Sequence, residues 1–330
     1  MSAIAARSPE WHDMRRTGLG SSDIAPALGL STYARPIDIY LDKVGEGQPS
    51  EDTAFTEWGR RLEPVIAEAA EDALNADRDP ADMVRFTQWG SAIRCREWPI
   101  AFTHLDRRGR VDGAMAALEC KSAMSARGWG DPATVSIADA HEVIPPAYAI
   151  QSGHHLLCTG YGCVYVAALI GYRDFRLYRI ERDEAWLADL LADEQEFWRL
   201  VTTRTPPDPD GSDAYRAFLA RRMGTPTAEP SATPEQQLIG ARVLEAKRAA
   251  DAASAAYELE RQRLDRSMGD AAAVVGPGWR AARTAPRTTT AWQKVLGDVA
   301  PFGLDLAPFI AKHTKVGDPG FRFMPTTEEE

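Results

Sequence analysis

The stretch that decides the fold is THLDRRGRVDGAMAALECKS, residues 103–122. Asp106 ends one apolar run, and the tripeptide Glu119-Cys120-Lys121 ends the next. If both runs are β-strands, Glu119 and Lys121 point to one face of a sheet and Cys120 to the other. Two carboxylates and an ammonium group at the ends of adjacent strands can hold a divalent metal and orient a water molecule. The pattern indicates phosphodiester hydrolysis, which makes DNA binding the next property to look for.

The composition indicates a folded protein with an acidic charge balance. The 330 residues allow one large domain or two ordinary ones, and 44% hydrophobic content is enough for a sizeable core. No apolar run is long enough to span a bilayer, so we expect a cytoplasmic protein without membrane contact. The net charge of −10 disfavours non-specific DNA binding, although a local basic channel can still hold DNA. The four cysteines show no CxxC spacing, which disfavours a zinc or iron–sulfur role.

The apolar pattern changes along the chain and predicts helices around a strand-rich middle. Apolar spacing predicts helices over residues 53–74, 145–158 and 183–201. Alternation and turn residues predict short strands between residues 83 and 120, among them 100–105 and 115–120, and a hairpin over 163–180. A break rich in proline and aspartate begins at residue 206. The expected organisation is a domain over 1–205, a proline-rich linker over 206–234 and an extension over 235–330 with a long, solvated or coiled-coil helix. Within the extension the sequence predicts a short hairpin over 274–287, a helix over 290–299 and a disordered tail at 328–330.

The pattern Glu-x-Lys carries little information by itself, and the chain contains its own control. Roughly one copy is expected by chance in a chain of this length. Glu245-Ala246-Lys247 repeats the pattern within the predicted long helix, where surface charge is the simpler interpretation. The copy at Glu119 differs because it ends an apolar run and follows Asp106. The pattern alone leaves an active site and a solvent-facing hairpin end as equal alternatives.

Three further segments carry candidate polar groups, each with an ordinary alternative. Glu63 lies on or beside the apolar side of a predicted helix, where a buried carboxylate needs a cation, or it is exposed beside neighbouring arginines. The Gly-Ser turn at Ser22, with Arg15 nearby, can bind phosphate or can be a simple helix cap. Gln151 can hydrogen-bond a water molecule or a phosphate. The histidines are too scattered to predict a zinc site.

In chain order these segments resemble the YqaJ-type viral recombinase family, which includes lambda exonuclease and belongs to the PD-(D/E)XK nuclease superfamily. The resemblance covers about residues 9 to 200, and the joint order is more specific than any single motif. The segments that carry it are Trp11…Arg15, Leu19-Gly20-Ser21-Ser22-Asp23-Ile24-Ala25, Gly59…Leu62-Glu63-Pro64, Leu105-Asp106-Arg107-Arg108, Leu118-Glu119-Cys120-Lys121-Ser122 and Tyr148…Gln151.

The resemblance implies an α/β fold of the restriction-endonuclease-like type, with a mixed central β-sheet flanked by helices and a helical C-terminal extension. It implies a deoxyribonuclease that digests linear duplex DNA from 5′ to 3′ and leaves 3′ overhangs for phage or prophage recombination. Such enzymes hand the exposed strand to a single-strand annealing protein in the host cytoplasm. Members similar to lambda exonuclease form ring-shaped trimers around DNA, which makes a homo-oligomer an expectation here.

The resemblance also implies the metal ligands. Asp106, Glu119 and the backbone carbonyl of Cys120 would hold the catalytic ion, and Glu63 would complete a second metal position. Two Mg²⁺ ions are implied, with Mn²⁺ able to substitute. Asp112 competes with Asp106 for the role of metal aspartate. Asp106 is preferred because it ends an apolar run and because the Leu-Asp-Arg-Arg pattern falls there.

The remaining site residues follow from the same resemblance. Lys121 would hold or help to deprotonate the attacking water, and Gln151 would help to position it. Arg15 and Ser22 would grip the 5′-phosphate end. The alternatives are an endonuclease or helicase-associated nuclease of the same superfamily, and a catalytically inert DNA-binding or assembly protein. The intact set of acidic residues with Lys121 argues against the inert protein.

Overall fold

The computed structural model describes residues 9–47, 53–222, 231–284, 288–292, 310, 312, 314–316 and 320–325. The chain divides into two compact units, residues 1–226 and 227–330. The helices are α1 Pro9–Arg16, α2 Ser21–Ala27, α3 Pro36–Val44, α4 Ala54–Asn75, α5 Pro146–Thr159, α6 Glu184–Thr202, α7 Asp213–Arg222 and α8 Pro234–Ser267. The strands of the first unit are β1 Leu19–Gly20, β2 Phe86–Thr87, β3 Ile93–Arg94, β4 Ala101–Thr103, β5 Arg107–Val111, β6 Ala114–Ala123, β7 Thr134–Ser136, β8 Cys163–Ile170 and β9 Asp174–Glu181.

A six-stranded mixed sheet with the order β2-β5-β6-β8-β9-β7 is the centre of the first unit. Strand β6 pairs with β5 in the antiparallel sense and with β8 in the parallel sense. Helices pack on both faces, so the predicted α/β class with a mixed central sheet is confirmed. The β5–β6 hairpin turns through Asp112 and Gly113, which both have positive φ, as two-residue Asp-Gly hairpin turns require.

Two apolar cores lie on opposite faces of this sheet, and β6 contributes to both by alternation. Ala117 belongs to the core that includes residues of α2 and α5, whereas Ala116 and Leu118 belong to the core beneath α4. This alternation assigns Glu119 and Lys121 to the α5 side and Cys120 to the α4 side.

The strand expected over residues 100–105 is shorter and lies in a different sheet. Strand β4, Ala101–Thr103, pairs with β1 and β3 in a separate three-stranded sheet. Asp106 therefore does not end a strand next to the one that carries Glu119; it immediately precedes β5 instead. Three residues between β4 and β5 carry the chain from one sheet to the other, a change that an apolar run cannot reveal.

The first unit also extends beyond the predicted boundary at residue 205. Helix α7, Asp213–Arg222, lies within the segment predicted as a linker over 206–234. Tyr215 and Phe218 of this helix are buried in the core on the α5 side of the sheet. Two aromatic side chains in an otherwise polar segment were the available signal, because burial of such rings is strongly favourable.

The second unit contains α8 and the strands β10 Ala273–Gly276, β11 Trp279–Thr284, β12 Thr288–Thr290, β13 Thr314–Val316 and β14 Gly320–Pro325. Helix α8 spans the segment of the expected long helix and has no buried residue. Strands β10 and β11 form the hairpin expected near residue 274. The helix expected over 290–299 and the tail at 328–330 fall outside the described residues, except for 290–292. Among the described helices, none combines the length and apolarity needed to cross a bilayer.

Candidate active site

Strand β6 positions the acidic and basic groups of the candidate site. Glu119 is 4% exposed, and Lys121 lies two residues further on the same face. Lys121 Nζ donates a hydrogen bond to Glu119 Oε1 at 2.6 Å. The ammonium group also lies 4.7 Å from the centre of the Tyr148 ring, which favours a cation over its face. Glu119 and Lys121 therefore form a largely buried ion pair near the C-terminal end of β6.

Asp106 reaches the same point from the neighbouring strand. It immediately precedes Arg107, the β5 residue that pairs with Leu118 in the register of the hairpin. Asp106 Oδ2 accepts a hydrogen bond from the backbone amide of Cys120 at 2.8 Å. Asp106, immediately before β5, is thus tied by this hydrogen bond to the strand β6 that carries Glu119.

The pKa values of these groups reflect their crowding. Burial and the charge of Glu119 raise the pKa of Asp106 well above its ordinary value. Burial also opposes ionisation of Glu119, but Lys121 and His155 outweigh it and lower the pKa of Glu119 to about 2. Burial lowers the pKa of Lys121, yet Glu119 and Asp106 raise it more, so its pKa lies above the ordinary value. Glu119 and Lys121 neutralise each other, and a further cation between the two carboxylates would favour the ionised form of Asp106.

Gln151 joins the cluster from α5. Its side-chain amide donates to Glu119 Oε1 at 2.7 Å, and its carbonyl oxygen accepts from Lys121 Nζ at 2.9 Å. Both polar ends of the amide are therefore used, and they orient the acid and the base relative to each other.

His155 is a site residue that the sequence analysis did not single out. It is fully buried one helical turn beyond Gln151, and its Nε2 lies 3.0 Å from Glu119 Oε2. Because an ionised carboxylate only accepts, His155 Nε2 carries the donated proton, and Nδ1 faces the Thr103 hydroxyl at 2.6 Å. The only sequence signal was a polar residue on an apolar helix face. The adjacent His154 turns away and contacts Glu194 and the carbonyl of Phe102.

Glu63 lies near this cluster but is engaged elsewhere. It is on α4, and its carboxylate pairs with the guanidinium of Arg107. It is close enough for its charge to raise the pKa of Asp106 further. Glu63 is partly exposed, as the alternative with neighbouring arginines expected, but its cation is Arg107, and Arg61 pairs with Glu57. The structure therefore brings Glu63 to the edge of the cluster rather than into it.

Cys120 and Asp112 lie outside the polar cluster. The Cys120 side chain packs against the core beneath α4, and burial followed by the nearby carboxylates raises the pKa of its thiol. Asp112 is at the turn of the β5–β6 hairpin, at the opposite end of β6 from Lys121, where it pairs with Arg78 at 2.7 Å. Of the two aspartates, only Asp106 contacts the strand segment that carries Glu119.

A second charged network surrounds Arg15. Its guanidinium pairs with Asp23, a fully buried carboxylate that also accepts from Lys43 Nζ at 2.6 Å and from the backbone amide of Gly20 at 3.0 Å. Lys43 is itself 0% exposed and donates to the backbone carbonyl of Arg15 at 2.7 Å. Nothing in the sequence pattern of α3 indicated this buried lysine. Ser22, by contrast, is exposed at the second residue of α2.

The two networks lie within electrostatic reach of each other. Burial lowers the pKa of His104, and the positive charge of Arg15 lowers it further. His104 is two residues before Asp106, so Arg15 faces the segment that leads into the cluster. The arrangement combines an anion-attracting arginine with an acidic cluster.

The donor chemistry of the cluster suits a hard divalent cation. Asp106 and Glu119 supply carboxylate oxygens, the ligand type that Mg²⁺ prefers, and a bound cation would offset the mutual repulsion of the two carboxylates. In the described part of the chain, however, no three His, Cys, Asp or Glu side chains converge as a ready-made metal site. Two carboxylates fit one cation; a third ligand from Glu63 would require it to leave Arg107.

Comparison with known proteins gives an independent line of information. Residues 10–162 match the family model described as the YqaJ-like viral recombinase domain. Protein YqaJ of Bacillus subtilis (strain 168) is 31% identical over 219 residues, a match that covers 64% of this chain and 62% of that protein. The chain thus spans less than two thirds of this curated relative.

Solved structures of similar proteins include an alkaline exonuclease, LHK-Exo, from Laribacter hongkongensis. It is 18% identical with a TM-score of 0.44, and the match covers 65% of this chain and 99% of that one. A phage-related exonuclease from Haemophilus somnus is 11% identical with a TM-score of 0.40, over 58% of this chain and 99% of that one.

Proposed function

We propose that the chain, whose residues 10–162 match the family model of the YqaJ-like viral recombinase domain, is a magnesium-dependent exonuclease that digests linear duplex DNA from 5′ to 3′. The observation that carries the proposal is the buried cluster at the end of β6. Asp106 lies there immediately before β5 and Glu119 lies on β6, with Lys121 and Gln151 hydrogen-bonded to Glu119. The cluster therefore combines two carboxylates that would ligate a metal, the ammonium group of Lys121 and the orienting amide of Gln151.

Asp106 and Glu119, with the backbone carbonyl of Cys120, would hold the catalytic Mg²⁺, and Mn²⁺ would substitute. When bound, the ion polarises the scissile phosphate and makes water a better nucleophile at neutral pH. Glu63 would contribute to a second metal position after exchanging Arg107 for the ion. Arg107 would then be available to a phosphate oxygen, since its planar guanidinium can bind a phosphate as well as the carboxylate of Glu63.

Lys121 and Gln151 would act on the attacking water. The raised pKa of Lys121 keeps its ammonium group charged near neutral pH, where it stabilises the negative charge that develops on the phosphate. Gln151, bonded to both Lys121 and Glu119, would fix the direction of approach of the water. Positioning of this kind supplies a large part of the rate enhancement in phosphoryl transfer.

Arg15 and Ser22 would bind the 5′-phosphate and so determine the polarity of digestion. Arg15 is held by Asp23, and its charge reaches the segment before Asp106. A terminal phosphate carries more negative charge than an internal one, and therefore gains more from a fixed guanidinium. The 3′ overhangs would pass to a single-strand annealing protein during phage or prophage recombination in the host cytoplasm, with a ring-shaped homo-oligomer as the expected assembly.

The test is digestion of linear duplexes labelled on either strand, with 5′-phosphate or 5′-hydroxyl ends, with and without Mg²⁺. We expect loss of label from the 5′ end, faster digestion of phosphorylated ends and no digestion in EDTA. Lys121→Ala and Glu119→Ala should leave the duplex intact. Loss of preference for the 5′-phosphate in Arg15→Ala would support the polarity site.

Closed circular duplex DNA is the control substrate. An exonuclease spares it, whereas an endonuclease of the same superfamily cuts it. Intact ends after incubation of the wild-type chain with Mg²⁺ and Mn²⁺ would refute the proposal and leave the inert DNA-binding alternative. Equal digestion by the wild type and Lys121→Ala would show that a different site acts.

A further inference from the structure

An aromatic and basic surface lies just beyond the candidate site, at the end of β6. We define it as the tip patch, formed by Met124 and Arg127 after β6 and by Tyr172 and Arg173 in the turn between β8 and β9. All four residues are exposed, Tyr172 to 69%. The amide of Gly171 donates to the carbonyl of Ala123 at 2.9 Å, which ties the turn to the end of β6.

Tyr172 is held outward by an unusual backbone. Its φ is 65°, in the left-handed region that glycine, asparagine and aspartate adopt most readily and bulky side chains rarely adopt. Its hydroxyl donates to the Met124 sulfur at 3.2 Å, so the ring lies beside a second exposed apolar side chain. Because the Tyr172 ring is exposed, it does not stabilise the core, and the core therefore does not account for the strained backbone. Strain of this kind clusters at binding sites, which indicates a role in binding.

The charge of the tip patch differs from that of the whole chain. The chain has 48 acidic and 38 basic residues, yet residues 121–130 contain Lys121 and Arg127 and no Asp or Glu. Among the described residues, neither Arg127 nor Arg173 forms an ion pair, and Asp174, the residue after Arg173, pairs with Arg176 instead. The patch is therefore a local positive region in an acidic protein.

The distance from the candidate site suits an extended polynucleotide. Ala123 is two strand residues beyond Lys121, roughly 7 Å along β6. Arginines for the backbone and an aromatic face for the bases are the combination with which proteins hold single-stranded nucleic acid. We propose that the tip patch binds single-stranded DNA next to the candidate site, with a base stacked on Tyr172 and phosphates on Arg127 and Arg173. The choice of DNA rests on the proposed function.

The test measures binding without cleavage. The full chain is titrated in EDTA against a fluorescently labelled 20-nucleotide oligothymidylate and a fully abasic strand of the same length, and binding is followed by anisotropy. Tyr172→Asn removes the ring but suits the left-handed backbone. We expect it to weaken oligothymidylate binding roughly 5- to 100-fold, the range for loss of one stacked base. Tyr172→Phe should bind as the wild type does.

The abasic strand separates stacking from charge. We expect Tyr172→Asn to bind it as well as the wild type does, because no base is left to stack. Arg127→Ala and Arg173→Ala should weaken both strands and flatten the salt dependence. The matched control is Tyr257→Asn, which removes another exposed ring, 56% exposed on α8, and should leave binding unchanged.

Oligothymidylate binding that is unchanged in Tyr172→Asn would overturn the proposal. An equal loss of affinity for the abasic strand in Tyr172→Asn would also overturn it. So would a change in the molar mass of this variant, measured by light scattering, because the patch would then be a contact between copies of the chain. The outcome is separate from that of the digestion assay. Tyr172-dependent binding without digestion would support the tip patch and refute the nuclease activity. Digestion without Tyr172-dependent binding would support the nuclease activity and refute the tip patch.

Discussion

The chain contains the pattern Glu-x-Lys in two places, and the two copies have different structural fates. Glu119-Cys120-Lys121 lies on β6 within a buried cluster, where the acid and the base bond directly. Glu245-Ala246-Lys247 lies on α8, which has no buried residue. There Lys247 pairs with Asp251, one helical turn away, rather than with Glu245. The same three-residue pattern produces a paired acid and base in one region and separate surface charges in the other.

Backbone geometry explains the difference. In a strand, residues i and i+2 share a face, so Glu119 and Lys121 meet without further help. In a helix, residues i and i+4 share a face and residues i and i+2 do not, so Lys247 finds Asp251. Burial then amplifies the contrast, because a charge pair removed from water interacts more strongly than one in solvent. A short motif thus acquires chemical meaning from the element and the layer that hold it.

The largest expected effect separates the two lysines by activity. Lys121→Ala removes the cation beside the proposed metal ligands and should lower the rate of duplex digestion by about a thousand-fold or more, since loss of one preorganised charge has effects of that order. Lys247→Ala should digest at the wild-type rate. Comparable activity in the two variants would show that the motif on β6 has no special role.

The next effect concerns stability and the buried lysine of the second network. Lys43→Met leaves Asp23 buried with one cation fewer, and should lower the free energy of unfolding by about 3–5 kcal/mol, as breaking a buried ion pair does. Urea unfolding followed by circular dichroism measures it. In the exposed pair, Lys247→Met should change stability by at most about 0.5 kcal/mol. A small effect of Lys43→Met would mean that Arg15 alone compensates Asp23.

A smaller effect distinguishes the surroundings of the two glutamates. His155 holds Glu119 in place, whereas Glu245 is on an exposed helix with no buried neighbour. His155→Ala should weaken Mn²⁺ binding, measured by calorimetry, roughly 10- to 100-fold, the range for loss of a group that orients a metal ligand. His155→Gln, which can still donate to Glu119, should recover part of the affinity. Unchanged affinity in His155→Ala would show that the strand alone orients Glu119.

The smallest effect is a dependence on pH. Burial raises the pKa of Asp23, but Lys43 and Arg15 outweigh it, so the pKa lies below the ordinary 3.8. A carboxyl group with a lowered folded-state pKa contributes stability above its unfolded pKa and loses it as the pH falls through the folded value. The stability gap between the wild type and Lys43→Met should therefore be constant near pH 6 and narrow below about pH 4. A gap that widens in acid would contradict this assignment.

Much of the architecture was predictable because it depends on local period. The change from helical to alternating spacing predicted the strand-rich middle, and Asp112-Gly113 is a recognisable hairpin turn. The layer of Cys120 followed from alternation alone. Less was predictable where the chain changes sheets: the apolar run before Asp106 gave no sign that β4 pairs with β1 rather than with β5.

The amino-acid order predicted most helices and strands of the first unit and the shared face of Glu119 and Lys121, since these depend on neighbours within a few positions. It did not predict helix α7 or the contact of His155 with Glu119. Only the tertiary structure determined which buried polar groups pair with each other. Glu63 meets Arg107 across 44 residues, His155 meets Glu119 across 36, and Lys43 meets Asp23 across 20. These contacts join different helices and strands, and no local period encodes them. They arise because a charge buried in a packed interior must find its counter-charge wherever the fold brings one.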